Sequence, residues 1–130
     1  MIAADTNVVV RLLTGDEPRQ TAQARHLFET ESVFLPKTVL LESEWVLRRL
    51  YRQDRAAVSR ALEALISLPH VQCEDEPIVR QALGWSRDRM DFADALHLAS
   101  SRLATRFATF DLALIKDAAD AETGLPVTLP

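Results

Sequence analysis

The sequence predicts an α/β protein, a three-layer α/β/α arrangement around a parallel sheet of four or five strands. Two observations carry this reading. Short apolar runs alternate with longer segments of helical apolar spacing, the pattern of parallel strands joined by helical crossovers. The chain has 130 residues, 48% apolar and 26% charged. That is the size and balance of one globular domain, residues 1–130, able to bury a core without disulfides or a structural metal.

Residues 2–4 read as a buried strand, ended by Asp5-Thr6-Asn7. A short helix over 8–13 follows, then Gly15 and Pro18 punctuate the chain. Ala22, Ala24, Leu27 and Phe28 mark a helix over 17–30. Residues 32–35 form a second strand, closed by Pro36. The helix over 38–51 is so rich in Leu, Val and Trp that it is expected to be largely buried, with Trp45 in the core. Asp54 suits an N-cap before an amphipathic helix over 57–68. A third strand covers 71–73, and Pro77 opens a helix over 77–85 that places Trp85 in the core. Asp91 opens a helix running to 103 or 104. A fourth strand at 107–110 ends on Asp111, a helix covers 112–119, and 126–129 offers a fifth strand.

Cys73 is the only cysteine, so internal disulfides and multi-cysteine metal sites are excluded. With no basic leader and no apolar run long enough to span a bilayer, a cytoplasmic location is expected. No glycine-rich phosphate loop occurs among Gly15, Gly84 and Gly124. The net charge of −4 disfavours a nucleic-acid partner. That argument weakens if Asp5, Glu42, Asp91, Asp94 and Asp111 converge on a cation: setting aside those five charges leaves the remainder at +1.

The acids are the informative residues. Ligand sites in open parallel sheets form beyond the carboxyl ends of the strands, and both Asp5 and Asp111 fall at such ends. If the first and fourth strands are neighbours, the two carboxylates lie side by side. Each also suits a helix N-cap. Asp91 and Asp94, one turn apart, fit a capping-box-like start to their helix, yet Asp94 lies away from the face of Phe92, Leu96, Ala99 and Leu103 and can face a cleft. Glu44 has Arg48 at i+4, an exposed pair worth a few tenths of a kcal/mol. Glu42 has no cation one turn away and needs another partner. Two carboxylates about 4 Å apart repel by on the order of 4 kcal/mol at an effective dielectric of about 20. Converging acids therefore need protonation or a cation. An oxygen-only ligand set selects Mg²⁺, with Mn²⁺ possible, over zinc.

Four segments together resemble the PIN-domain ribonucleases of the VapC toxin type: IAADTNVVVRLLTGD at 2–16, FLPKTVLLESEWVLRRLY at 34–51, DFADALHLA at 91–99 and ATFD at 108–111. The resemblance implies a magnesium-dependent endoribonuclease, the toxin of a type II toxin–antitoxin pair, with a cognate antitoxin, an RNA substrate and a homodimeric state. By position it makes Asp5, Glu42, Asp94 and Asp111 the catalytic and metal-binding acids, with Asp91 an added metal candidate and Asn7 and Thr109 supporting. Met90 and Leu112 depart from it, where relatives often carry glycine and a basic residue.

Other features take plainer readings. Arg48, Arg49, Arg52, Arg55 and Arg60 suit a solvated face ahead of an RNA or partner surface, Arg11 either a phosphate contact or an acid partner, and His97 a packed or hydrogen-bonded side chain. One rival is a catalytically silent PIN-fold module that binds RNA or protein. Another is a Mg²⁺ phosphatase or receiver domain, which fits poorly because Asp5-Thr6-Asn7 lacks a second acid and Cys73-Glu74-Asp75 is a poor match to the phosphorylatable aspartate a receiver carries after its third strand.

Overall fold

The computed structural model describes residues 1–130. Strands β1 (Ile2–Ala3), β2 (Val33–Leu35) and β3 (Val71–Cys73) form a parallel sheet in that order. Its register sets Ile2 beside Val33, and Val33 beside Val71. Strands β4 (Phe107–Ala108) and β5 (Val127–Thr128) make a separate parallel pair. The α/β class and the five strands are as predicted; the single sheet of four or five strands is not. β1 hydrogen-bonds only to β2, and β4 only to β5. Pairing between strands distant in sequence is set by tertiary packing, which apolar patterning alone does not reveal.

Seven helices fill the connections: α1 (Thr6–Thr14), α2 (Pro18–Thr30), α3 (Lys37–Arg49), α4 (Arg55–Ile66), α5 (Glu76–Ser86), α6 (Phe92–Ala99) and α7 (Leu112–Asp120). Polar side-chain caps set the starts of five of them. Glu17 accepts from the backbone amides of Arg19 and Gln20, with Pro18 in the first turn, and Asp54 accepts from that of Ala57. α1 stops at Gly15, whose φ of 65° lies in the left-handed region that glycine enters without steric cost.

One continuous apolar cluster runs from Ala4 to Ala118 and includes wholly buried Val9, Val33, Leu35, Leu47, Leu62, Leu83 and Phe92. α3 is buried along one face only, through Leu40, Ser43, Glu44 and Leu47. Trp45 is therefore not core: it is 49% exposed. Trp85 is half-buried and packs against the cluster. α6 ends at Ala99 rather than 103, because the chain turns at Ser100, and this leaves Leu103 fully in solvent. No helix is long and apolar enough to cross a membrane.

Cys73, in β3, lies against the core, and burial pushes its thiol pKa up to about 12. The thiolate is the reactive species. The native protein at pH 8 is expected to resist iodoacetamide and to react at once when unfolded in urea. Equal labelling rates by mass spectrometry would contradict this packing.

Candidate functional site

Parallel pairing of β1 and β2 brings the start of α1 and the start of α3 to one sheet edge. Asp5 leaves β1 there and caps α1, its Oδ1 accepting from the Thr6 amide at 2.7 Å. Thr6 is buried, and its hydroxyl donates to Glu42 Oε1 at 2.5 Å. Thr6 thus ties one candidate acid to the other, 37 positions away in sequence. The carboxylates of Asp5 and Glu42 themselves face solvent. Asn7 is exposed and shares a hollow between α1 and α2 with Arg11 and Gln20. Arg11 takes the acid-partner alternative: it ion-pairs with Asp16 and donates to Tyr51 and Gln20.

α6 supplies the next two acids. Asp91 is its N-cap: Oδ2 accepts from the Asp94 amide at 3.4 Å, and Oδ1 accepts from Arg48 Nη2 at 3.2 Å. Both Asp91 oxygens are therefore engaged. Arg48 also clasps Glu44, through Nε at 2.9 Å and Nη2 at 3.4 Å. This corrects the expected exposed pair. Glu44 is only 2% exposed and Arg48 is largely covered, so a buried ion-pair chain links α3 to α6. Arg48 likewise does not belong to a solvated arginine face.

Asp94 has no hydrogen-bonded or ion-paired partner on its carboxylate. Burial raises its pKa, the negative charges of Asp91 and then Asp111 push it further up, and His97 opposes them weakly. His97 itself is exposed, contrary to a packed role: it sits on the outer face of α6, opposite Phe92, Ala95 and Ala99. Asp111 follows β4 and caps α7, its Oδ1 accepting from the amides of Ala113 and Leu114. Thr109 supports that cap by accepting from the Asp111 amide at 3.0 Å. β1 and β4 are not hydrogen-bonded neighbours, so the side-by-side arrangement of Asp5 and Asp111 does not arise from a shared ladder. Asp111 instead makes its charge felt at Asp94.

No three of these side chains converge closely enough to hold a metal ion as they stand. The donor chemistry still fits a hard cation. Asp5, Glu42 and Asp111 each have one carboxylate oxygen without a hydrogen bond, Asp94 has two, and none of the four is ion-paired. Thr6 and Arg48 are the residues the sequence did not single out as positioning groups. Thr6 was visible only as part of the break after β1. Arg48 was visible as the i+4 partner of Glu44, without sign that the pair is buried or extends to Asp91.

The PIN domain profile matches residues 2–120. The chain belongs to the PIN-domain family. PIN domains are generally nucleases, typically dependent on divalent metals. No curated protein matches the chain. The match spans all the acids of this PIN domain's candidate site, from Asp5 to Asp111.

Removing one member of a buried ion-pair chain strands the other charge and costs about 3–5 kcal/mol. Arg48→Met is expected to lose that much in urea unfolding, and Glu44→Gln added to it should recover most of the loss. A single variant within about 0.5 kcal/mol of wild type, the range of ordinary surface changes, would contradict the buried bridge.

Proposed function

We propose that this PIN domain is a magnesium-dependent endoribonuclease, the VapC-type toxin of a toxin–antitoxin pair. The observation that carries the reading is Asp94: a partly buried carboxylate without a partner, held in the field of Asp91 and Asp111 at the head of α6. A protein that used these acids only as helix caps would have no need for Asp94 there, since Asp91 already caps the helix.

Asp5, Glu42, Asp94 and Asp111 are the proposed metal-binding and catalytic acids. Asp91 is the weaker candidate ligand, because its cap and its pairing with Arg48 occupy both oxygens. A bound Mg²⁺, or Mn²⁺, supplies Lewis acidity toward a phosphate oxygen and lowers the pKa of a water. The chain's own groups hold and orient. Thr6 fixes Glu42, Thr109 fixes the backbone at Asp111, and Arg48 fixes the start of α6. Asn7, exposed two residues after Asp5, is the proposed polar contact for substrate or water. No side chain serves as a covalent nucleophile in this scheme; water is the attacking group in hydrolysis of the RNA phosphodiester. Exposed Leu103, Phe110 and Leu112 support a protein contact, for which the antitoxin and a second copy of the chain are the proposed partners.

Purified protein with Mg²⁺ is expected to cut single-stranded RNA internally, and chelation should stop it. Asp94→Asn should lower the rate at least about a hundredfold, the upper end of what loss of a mere outer-shell partner costs a metal site. Intact RNA with wild type and Asp94→Asn alike would refute the nuclease. RNA binding without cleavage would instead favour the silent module.

A further inference from the structure

Between α3 and the first turn of α6 lies a hollow of about 350 Å³. Its walls include Leu41, Trp45 and Arg48 from α3, and Asp91 and Ala93 at the start of α6; Glu42 joins it to the acidic corner. Arg48 is not free to take a phosphate there, since its guanidinium is clasped by Glu44 and Asp91. With Glu42 and Asp91 on the walls, the hollow repels anions. What it offers is the half-exposed indole of Trp45, a large apolar face left in water.

We propose that Trp45 is the stacking platform for an unpaired nucleobase of the RNA, next to the phosphate that is cut. The inference rests on the ribonuclease reading and adds a substrate-binding residue to it. A base is flat and uncharged, so it enters where a phosphate cannot. In single-stranded RNA the bases splay from the backbone, so a phosphate can sit at the acids while its neighbouring base lies against the indole. Glu42, which belongs to both the hollow and the proposed acid set, makes the two positions adjacent. A paired base has both faces covered and is refused, so the substrate is expected to be single-stranded at the cut.

Stacking on an aromatic side chain adds to affinity for each base it holds, so Trp45→Ala should lower kcat/KM on single-stranded RNA at least about tenfold, the equivalent of about 1.4 kcal/mol. Trp45→Phe should keep most of the activity, and Trp45→Leu, which retains bulk without the aromatic face, should not. Leu50→Ala, which removes another exposed apolar side chain near the end of the same helix, should change nothing. The deciding experiment uses RNAs lacking one base at a time. Wild type should lose about tenfold at one position beside the cut, and Trp45→Ala should be indifferent to that same removal, because the two changes delete one interaction. An unaltered penalty in Trp45→Ala, or wild-type cleavage by Trp45→Ala or Trp45→Leu, overturns the platform while the ribonuclease stands. If wild type cuts no RNA, both fall.

Discussion

A single guanidinium serves a corner crowded with carboxylates. Arg48 pairs with both Glu44 and Asp91, one positive charge against two negative, and no other Lys or Arg pairs with any of the acids gathered near the starts of α1, α6 and α7. The buried half of the problem is thereby solved: Glu44 would be costly to leave unpaired inside α3. The exposed half is not. Asp94, partly buried, has a pKa raised first by that burial and then by the charges of Asp91 and Asp111. A fold that keeps a carboxylate in such a place does so against local stability, which is the usual signature of a functional group.

Helix capping and metal binding are compatible uses of the same side chains. A carboxylate has two oxygens, and a cap engages one. Asp5 and Asp111 each cap through Oδ1 and have Oδ2 left over. Asp91 spends one oxygen on its cap and the other on Arg48. The three N-caps therefore differ in what remains after folding is served, a difference that residue type and spacing do not carry. Thr6 serves twice: its backbone amide donates to Asp5 while its hydroxyl holds Glu42, so one residue at the start of α1 orients two acids.

Much of this was legible in the sequence. Every helix and strand was anticipated within a few residues, because Pro18, Pro36, Gly15 and Asp54 punctuate a strongly periodic chain. The candidate acids were legible because Asp5 and Asp111 end strands and Glu42 lacks a cation at helical spacing. What was not legible depends on tertiary geometry. The apolar composition of α3 does not say which face is covered, so Trp45 looked like core and Glu44 like a surface residue. α6 ends where the chain turns, not where apolar spacing stops, so Leu103 was wrongly assigned to its buried face. Strand pairing is non-local, so the patterning of β4 and β5 did not show that they pair with each other, apart from the main sheet.

On the proposed nuclease reading, the charge left uncompensated around Asp94 is there to be met by a divalent cation. Thermal unfolding in MgCl₂, against NaCl at matched ionic strength, tests it most directly. A ligand that binds the native state alone stabilises it, by about 2.7 kcal/mol at a hundred times its Kd. Mg²⁺ is expected to raise the Tm of wild type, and Asp94→Asn to abolish the rise. Without metal, Asp94→Asn should melt above wild type near neutral pH, since the raised pKa means the ionised carboxylate disfavours folding there, and the gap should close as acid protonates Asp94. A Mg²⁺ shift that is absent from wild type, or the same in both proteins, would contradict it.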